Sequence, residues 1–415
     1  MKRHRLQRPD PEGNPISEPR SAILVINCGS SSLKFAVFGL TEGLERLVWG
    51  AVSGVGTSQG RLQLSNANGT VEDQHVRFPD HATAIEKVDA VLQQQTSRWD
   101  LIGIGHRVVH GGPDCDCPQR VNDGLLQRLQ GLTPLAPLHL PHNLAGISAM
   151  RTQFPDVPQL ARFDTAFHHG LPEVARHTGL PREYEARGVR RYGFHGLSYE
   201  FIVEDLRHRH GPEALRERLI VAHLGNGASL AAIRDGRSIE TTMSFSALGG
   251  MPMGTRSGDL DPGILLYLSS QDGLDAAALE TLLYRRSGLL GLSEVSADMR
   301  DLLAHRDDTP AAAQAIDFFC HRARHFIGAL SAALGGLDRL IFTGGIGANA
   351  PAIRTQICDG LAYLGVTLDP HRNQAPVPVI SAANGSVRVE AVSTDEERMI
   401  ARHVQRALAN TQEDT

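Results

Sequence analysis

Aromatic side chains are scarce. Phe, Trp and Tyr make up 5% of the 415 residues, too few to furnish stacking platforms for bases or sugars. Cysteine is sparse and odd in number, with Cys28, Cys115, Cys117, Cys320 and Cys358. Such a set does not read as a disulfide framework, and a reducing, cytoplasmic compartment fits it best. Cys115 and Cys117 have no second Cys/His pair nearby, which argues against zinc. Neither sign of charge dominates. The formal charge of −5 at pH 7 gives no reason to expect nucleic acid or an anionic membrane as partner. Long apolar runs are missing too. The longest stretch free of Asp, Glu, Lys and Arg, residues 129–150, carries Pro134, Pro137, Pro141, His139 and His142, which no bilayer helix would hold comfortably. The first 20 residues are rich in Arg and Pro and lack an apolar segment, so they are expected to be a disordered tail rather than a secretory signal. No G-x-x-x-x-G-K-[ST] loop occurs, nor a G-x-G-x-x-G-x-V with H-R-D. If the chain handles ATP, it does so with other loops.

Glycine is abundant, at 42 residues, about 10% of the chain against a usual level of about 7%. Ile23–Ile26 and Leu33–Phe38 are apolar runs around the small-residue turn Asn27-Cys28-Gly29-Ser30-Ser31-Ser32, which predicts a β-hairpin. The pattern recurs: Leu219–Ala222 leads through His223-Leu224-Gly225-Asn226-Gly227 into Leu230–Ile233, with Gly225 in the place of Gly29. Two such units imply a duplicated domain, with the two lobes facing across a cleft. A third cluster, Thr343-Gly344-Gly345-Ile346-Gly347-Ala348-Asn349, follows the strand-like Leu340–Phe342. It reads as a glycine loop ahead of a helix beginning near Pro351, with Ile353, Ile357 and Leu361 on one face. Backbone N–H groups at such a place attract phosphate. Helices are expected over 82–95, 276–286, 311–334 and 396–409, the last with Met399, Ile400, Val404 and Leu408 along one stripe. Alternating strands and helices predict α/β layers.

Several segments carry chemistry-bearing residues. Arg107 sits in an apolar strand ending in Gly111-Gly112, and Arg256 in a loop of small residues. Arginine matches carboxylate and phosphate bidentately, though each read singly also fits a salt bridge. Asp164 is one carboxylate in an apolar segment, so it needs a partner or a task. His195 stands between glycine-bounded residues and reads either as structural or as functional. The hairpin turns fit a solvent-facing loop or a phosphate cradle, with Lys34 supplying charge. Thr394-Asp395-Glu396-Glu397 fits a helix N-cap with an acidic first turn, or a magnesium-linked carboxylate.

In this order the segments resemble the acetate kinase family, of the superfamily that includes actin, hexokinase and the large heat-shock chaperones. The motifs are Asn27–Lys34, His106–Gly112, Phe163–His168, Tyr192–Gly196, His223–Gly227, Met253–Asp259 and Gly344–Gly347, spanning about 22–402. The resemblance implies an α/β fold of two related actin-like, ribonuclease H-like lobes. Each would be a mixed sheet flanked by helices, with the cleft between them. The first lobe is expected over 21–164, completed by a C-terminal helix over 399–415, and the second over 165–398. The implied activity is reversible transfer of the ATP γ-phosphoryl to acetate with Mg²⁺ (or Mn²⁺). Carried over, Asn27 and Glu396 would hold the metal. Lys34 and His223, Leu224, Gly225, Asn226 and Gly227 would contact phosphates. Asp298, Met299, Arg300, Gly345, Ile346, Gly347, Ala348 and Asn349 would line the adenosine site. Arg107 would bind the acyl substrate, with Val109, Leu138 and Phe194 around its tail. His195 and Arg256 would stabilise the transition state, and Asp164 would act as acid/base or orient Arg107. A homodimer is implied as well. The alternatives are a propionate or other short-chain acyl kinase on the same fold, or an actin- or chaperone-like ATPase switch. The chain departs from the family pattern at Ala348, Ala247 and Tyr199, where Glu, Pro and His are usual. These changes bear on nucleotide preference and acyl length.

Overall fold

The apolar run at the start of the chain forms β1 (Arg20–Cys28), and the run after the turn forms β2 (Ser32–Gly39), paired antiparallel as the pattern predicts. The computed structural model describes residues 20–413 apart from Ser30, Glu42 and 96–98, so the tail expected over 1–20 falls outside the described residues except for Arg20, which opens β1. Successive residues of β1 are buried because both faces are covered. Leu24 and Ile26 pack with Val88, Leu92 and Met150, while Ile23 and Val25 pack with Met399, Ile400 and Val404. A strand covered on both sides reads as continuous apolar sequence rather than as alternation.

The first sheet adds β3 (Arg46–Ser53), β4 (Arg61–Asn66), β5 (Gly69–His75), β6 (Trp99–Val108), β7 (Gln119–Arg120) and β8 (Gln159–Phe163), in the order β5-β4-β3-β2-β1-β6-β8-β7. The second holds β9 (Leu219–Leu224), β10 (Ala228–Arg234), β11 (Arg237–Thr241), β12 (Arg339–Thr343) and β13 (Arg388–Ala391), in the order β11-β10-β9-β12-β13. The run β3-β2-β1-β6-β8 repeats in order and in direction as β11-β10-β9-β12-β13: two antiparallel pairs, then two parallel ones. The duplicated glycine turns are therefore equivalent places in two equivalent sheets. Gly29 N–H donates to the Ser32 carbonyl at 2.8 Å, and Gly225 N–H to the Gly227 carbonyl at 3.0 Å.

Helices His81–Gln95 and Leu140–Gln153 cover one face of the first sheet. The 25-residue helix Pro310–Leu334 covers the second through Phe319, Ile327 and Leu330. Beyond the last strand of each repeat a long helix crosses to the other sheet. Gly196–His210 packs Tyr199, Ile202 and Leu206 on Leu219, Val221 and Ile341, and Glu396–Glu413 packs on β1 and β6. The latter approach needs glycine in β6. A Cβ on Gly105 would lie 2.4 Å from Ile400, and one on Gly103 2.6 Å from Val404. The two crossing helices are tied by Glu200, which meets Arg162 at 2.7 Å and His403 at 2.9 Å, and by Glu204, which meets Arg402 at 3.0 Å.

The third glycine cluster corrects the sequence reading. It is not a loop: helix Gly344–Asn349 follows β12 directly, and a second helix, Pro351–Cys358, succeeds it. Gly344 has φ +77°, and a Cβ there would meet the Leu224 carbonyl at 2.6 Å, so only glycine turns the chain this sharply from strand to helix. Leu361 lies past the second helix but is buried in the same core as Ile353 and Ile357. No helix among the described residues is long and apolar enough to cross a membrane.

Candidate active site

The two hairpin turns face a common cavity of about 670 Å³, within the size range of small-molecule sites. Asn27, Lys34, Arg107, Val109, Asp164, Phe194, His195, His223, Gly225, Asn226, Gly227, Arg256, Gly345 and Glu396 all line it. Residues 369 positions apart in sequence thus share one space, because parallel strand ends and hairpin turns of both sheets open on the same side.

Arg107 and Asp164 come from neighbouring strands. Arg107 stands near the end of β6, and Asp164 directly follows β8, its parallel partner. Arg107 Nε donates to Asp164 Oδ1 at 2.9 Å and Nη2 to Oδ2 at 2.7 Å, a two-pronged pair. Arg107 Nη1 also lies 3.3 Å from Glu396 Oε2. Burial works against the Arg107 charge, but Asp164 and Glu396 overcome it and hold the guanidinium protonated above its ordinary value. Of the two readings of the acidic turn before the last helix, the structure shows the N-cap. Asp395 Oδ1 accepts from the Arg398 N–H at 3.0 Å as the N-cap, and Glu396 is left to face the cavity.

His195 precedes helix Gly196–His210 with φ +58° and ψ +26°, a left-handed conformation uncommon outside glycine. Its ring stacks on His223, with centroids 4.3 Å apart and planes at 23°. Each ring is fixed through Nδ1 to a serine hydroxyl, His195 to Ser229 Oγ at 2.9 Å and His223 to Ser198 Oγ at 2.7 Å. Burial depresses both, His223 to about 4 and His195 well below the usual range, with neighbouring Arg107 pushing both further down. Both rings are therefore neutral at pH 7. A Cβ on Gly227 would stand 3.0 Å from His195 Nε2 and 3.9 Å from Arg256 Nη1, so the glycine turn, the imidazole and the guanidinium converge.

Arg256 differs from Arg107. It donates to the Ala247 carbonyl at 3.0 Å, and no carboxylate among the described residues lies within 4 Å of it. Burial lowers its pKa, yet a guanidinium remains charged. The apolar wall consists of Val109, Phe194 and Ala247. Leu138 lies behind it, in a recess of about 10 Å³ shared with Val109, Phe194, Ala247 and Tyr284.

Some expected residues lie elsewhere. Leu224 is buried core, and of residues 345–349 only Gly345 lines the cavity. Asp298 caps helix Met299–Ala304 and pairs with Arg300 at 2.6 Å, Met299 packs in the core, and none of the three reaches the lining. Other residues were missed by sequence reasoning. Arg46 of β3 lines the cavity and pairs with Asp395 at 2.7 Å and Glu397 at 2.9 Å. Asn143 donates to the Cys28 carbonyl at 2.6 Å and accepts from the Val109 N–H at 2.9 Å, clamping the first hairpin turn to the end of β6. Neither carries a local signal, because the partners are distant in sequence.

Asn27 and Glu396 offer hard oxygen donors. Among the described residues no cluster of three or more His, Cys, Asp or Glu could hold a metal alone. Two oxygens completed by ligand phosphates and water match the habit of Mg²⁺ rather than of zinc.

Paired sheets around a cavity of arginines, glycine turns and neutral histidines define a two-lobed α/β phosphotransferase. The chain matches the model of the Acetokinase family over residues 22–402. It is 47% identical over 393 residues to the acetate kinase of Nitrobacter hamburgensis, covering 92% of this chain and 95% of that one. Among solved structures it is similar to Porphyromonas gingivalis acetate kinase (TM-score 0.86, 35% identity, 94% of this chain and 100% of that chain). It is equally similar to a propionate kinase from Francisella tularensis (TM-score 0.88, 35% identity, 93% and 99%). The chain belongs to the acetokinase family, and it is a phosphotransferase that uses ATP and ADP.

Proposed function

We propose that this chain transfers the γ-phosphoryl of ATP reversibly to acetate, giving acetyl phosphate and ADP by direct in-line transfer. A carboxylate oxygen of acetate forms the new O–P bond as the bond to the ADP oxygen breaks, and the electron pair leaves with ADP. The acceptor is already a nucleophile, so no proton need be abstracted, and catalysis rests on alignment and charge neutralisation. The observation that carries this reading is Arg256. It is a guanidinium without a carboxylate partner among the described residues, beside the Nε2 side of His195 and the Gly225–Gly227 turn. A poorly solvated cation without an anion is costly unless the substrate brings one.

Arg107 holds the acetate carboxylate, and Val109, Phe194 and Ala247 face its methyl group, with Leu138 behind. Asp164 orients Arg107, since both its oxygens are already committed to that guanidinium. His195 and Arg256 stabilise charge on the transferring phosphoryl. Lys34, His223 and the Gly225–Gly227 turn hold the phosphates, with Gly345 beside them in the same lining. Asn27 and Glu396 hold Mg²⁺, which when bound neutralises phosphate charge. The lining supports that requirement. Lys34, Arg46, Arg107 and Arg256 are balanced by Asp164, Asp395, Glu396 and Glu397, so the protein alone brings little net positive charge to a polyphosphate.

The recess of about 10 Å³ beyond Val109 and Ala247 has room for about one water and favours acetate over longer acids. The working form is a cytoplasmic homodimer without nucleic-acid or membrane partners. Helix Pro262–Gln271 buries no residue and exposes Ile264, Leu266 and Tyr267, an apolar face that a second copy would cover. The test is acyl phosphate formation, trapped as the hydroxamate, from Mg-ATP with acetate, propionate, butyrate or no acid. Product that depends on acetate supports the reading. Equal or better turnover of propionate replaces acetate as substrate, and ATP hydrolysis indifferent to every acid replaces the kinase with a switch ATPase.

A further inference from the structure

Tyr199 has no part in the scheme above, yet it is among the largest side chains that are fully buried. It sits one turn into helix Gly196–His210, with its ring against Phe167 and His168. Among the described residues its hydroxyl meets one polar group, Ser229 Oγ. Ser229 is itself fully buried, and its other side-chain partner is His195 Nδ1 at 2.9 Å. His168 does not compete for the phenol, since its two nitrogens are engaged by Ser238 Oγ at 2.7 Å and the Phe194 carbonyl at 3.0 Å.

A buried hydroxyl hydrogen left without an acceptor is costly, so the direction of this chain of bonds follows by elimination. The Tyr199 hydrogen has only Ser229 Oγ to go to, so tyrosine donates. The serine hydrogen then has only His195 Nδ1, so Nδ1 accepts. A neutral imidazole that accepts at Nδ1 carries its proton on Nε2. Nε2 is the nitrogen beside Gly227 and Arg256. We propose that Tyr199 is a positioning residue which, through Ser229, locks His195 as its Nε2–H tautomer and so aims a neutral donor into the cavity beside Arg256. The donor's target, the transferring phosphoryl, rests on the phosphotransfer reading, whereas the tautomer does not. Tyrosine suits the task because a phenol donates one proton and, buried here, is held above its ordinary pKa.

The tautomer is read directly from long-range ¹H–¹⁵N spectra of the ligand-free, ¹⁵N-histidine-labelled chain, with His195 identified by its absence in His195→Gln. The unaltered chain is expected to show the Nε2–H pattern alone. Tyr199→Phe frees the serine hydroxyl to reverse, and the Nδ1–H form should rise at least tenfold in population. In that variant kcat should fall roughly tenfold, with KM for ATP and for acetate within about twofold, as befits a donor acting in the transition state. If Tyr199→Phe does not fold, Ser229→Ala removes the same link and should shift the tautomer likewise. The proposal is overturned by an Nδ1–H pattern in the unaltered chain. It is equally overturned by an unchanged tautomer in the folded variants, or by a shifted tautomer with unchanged kcat. A chain that shows the expected tautomers but phosphorylates no acid refutes the functional reading and leaves the relay standing.

Discussion

Replacing Asp164 by Asn tests how Arg107, proposed above to bind the acyl substrate, is held. The side chain of Asp164 is 3% exposed and that of Arg107 23%, and their two bonds measure 2.9 and 2.7 Å. Asparagine keeps one acceptor for Arg107 Nε but turns an NH₂ toward Nη2, so one bond is lost and a donor faces a donor. Removing one partner of a buried pair costs about 3–5 kcal/mol. Arg107 is partly solvated and keeps Glu396 at 3.3 Å, which lowers the expected cost to about 2–3 kcal/mol. With an unfolding entropy of about 0.9 kcal/mol per kelvin for 415 residues, Tm should fall by about 2–3.5 °C, with the urea m-value unchanged. In steady-state assays Asp164→Asn should raise KM for acetate about tenfold and leave KM for ATP within about twofold, because only the acyl-side arginine loses its fixed orientation. The pH–rate profile should keep its shape. A variant as stable as the parent within 0.5 kcal/mol would refute the energetic reasoning. Loss of one limb of the profile would refute the positioning role and make Asp164 a proton carrier.

Arg256→Ala should lower kcat by about 10³-fold or more while KM for ATP changes only a few-fold, and near-normal turnover would remove Arg256 from the mechanism. Acidification should destabilise the fold between about pH 6.5 and 4. His106, His110 and His168 are fully buried and held near about 4 by burial, so the unfolded chain binds their protons first. Each contributes up to about 1.4 kcal/mol of loss per pH unit in that window, and urea stability that is flat from pH 7 to 5 contradicts this. Leu266→Asp combined with Tyr267→Glu, on the exposed helix Pro262–Gln271, should convert a dimer to a monomer of unchanged helicity in sedimentation. A dimer that persists assigns its interface elsewhere.

What was legible in the sequence was what the chain encodes locally. The hairpins around Gly29 and Gly225 show as apolar runs broken by small residues, and the long helix Pro310–Leu334 as a wide apolar stripe. The matching hairpins pointed to a duplicated domain, while the strand order that realises it came from the structure. Contacts closed over long separations were not legible. Arg46 meets Asp395 across 349 positions, and nothing near Arg46 distinguishes it from a surface arginine. Ser198 and Ser229 look like ordinary small residues until the fold sets each against a histidine Nδ1. The Gly344–Asn349 segment was misread because consecutive glycines are poor helix formers. Tertiary packing decides there: Gly344 must pass close to the Leu224 carbonyl, and the helix starts where that passage ends.

The two arginines of the cavity have opposite electrostatic settings, which under the proposed transfer would divide the work between them. Arg107 already faces Asp164 at 2.7 Å and Glu396 at 3.3 Å, so its field at a distance is largely cancelled. What it retains is a rigid fork, and that orients a carboxylate more than it stabilises new charge. Among the described residues Arg256 has only the Ala247 carbonyl and the Met253 sulfur as hydrogen-bond partners, so its field reaches the cavity largely uncancelled. A unit charge about 4 Å from such a cation gains about 4 kcal/mol at an effective dielectric constant of about 20, or roughly a thousandfold in rate if gained only in the transition state. Substitution at Arg107 or its holder Asp164 should therefore appear mainly in acetate KM, and substitution at Arg256 mainly in kcat. That split follows from which arginine the fold has already paired.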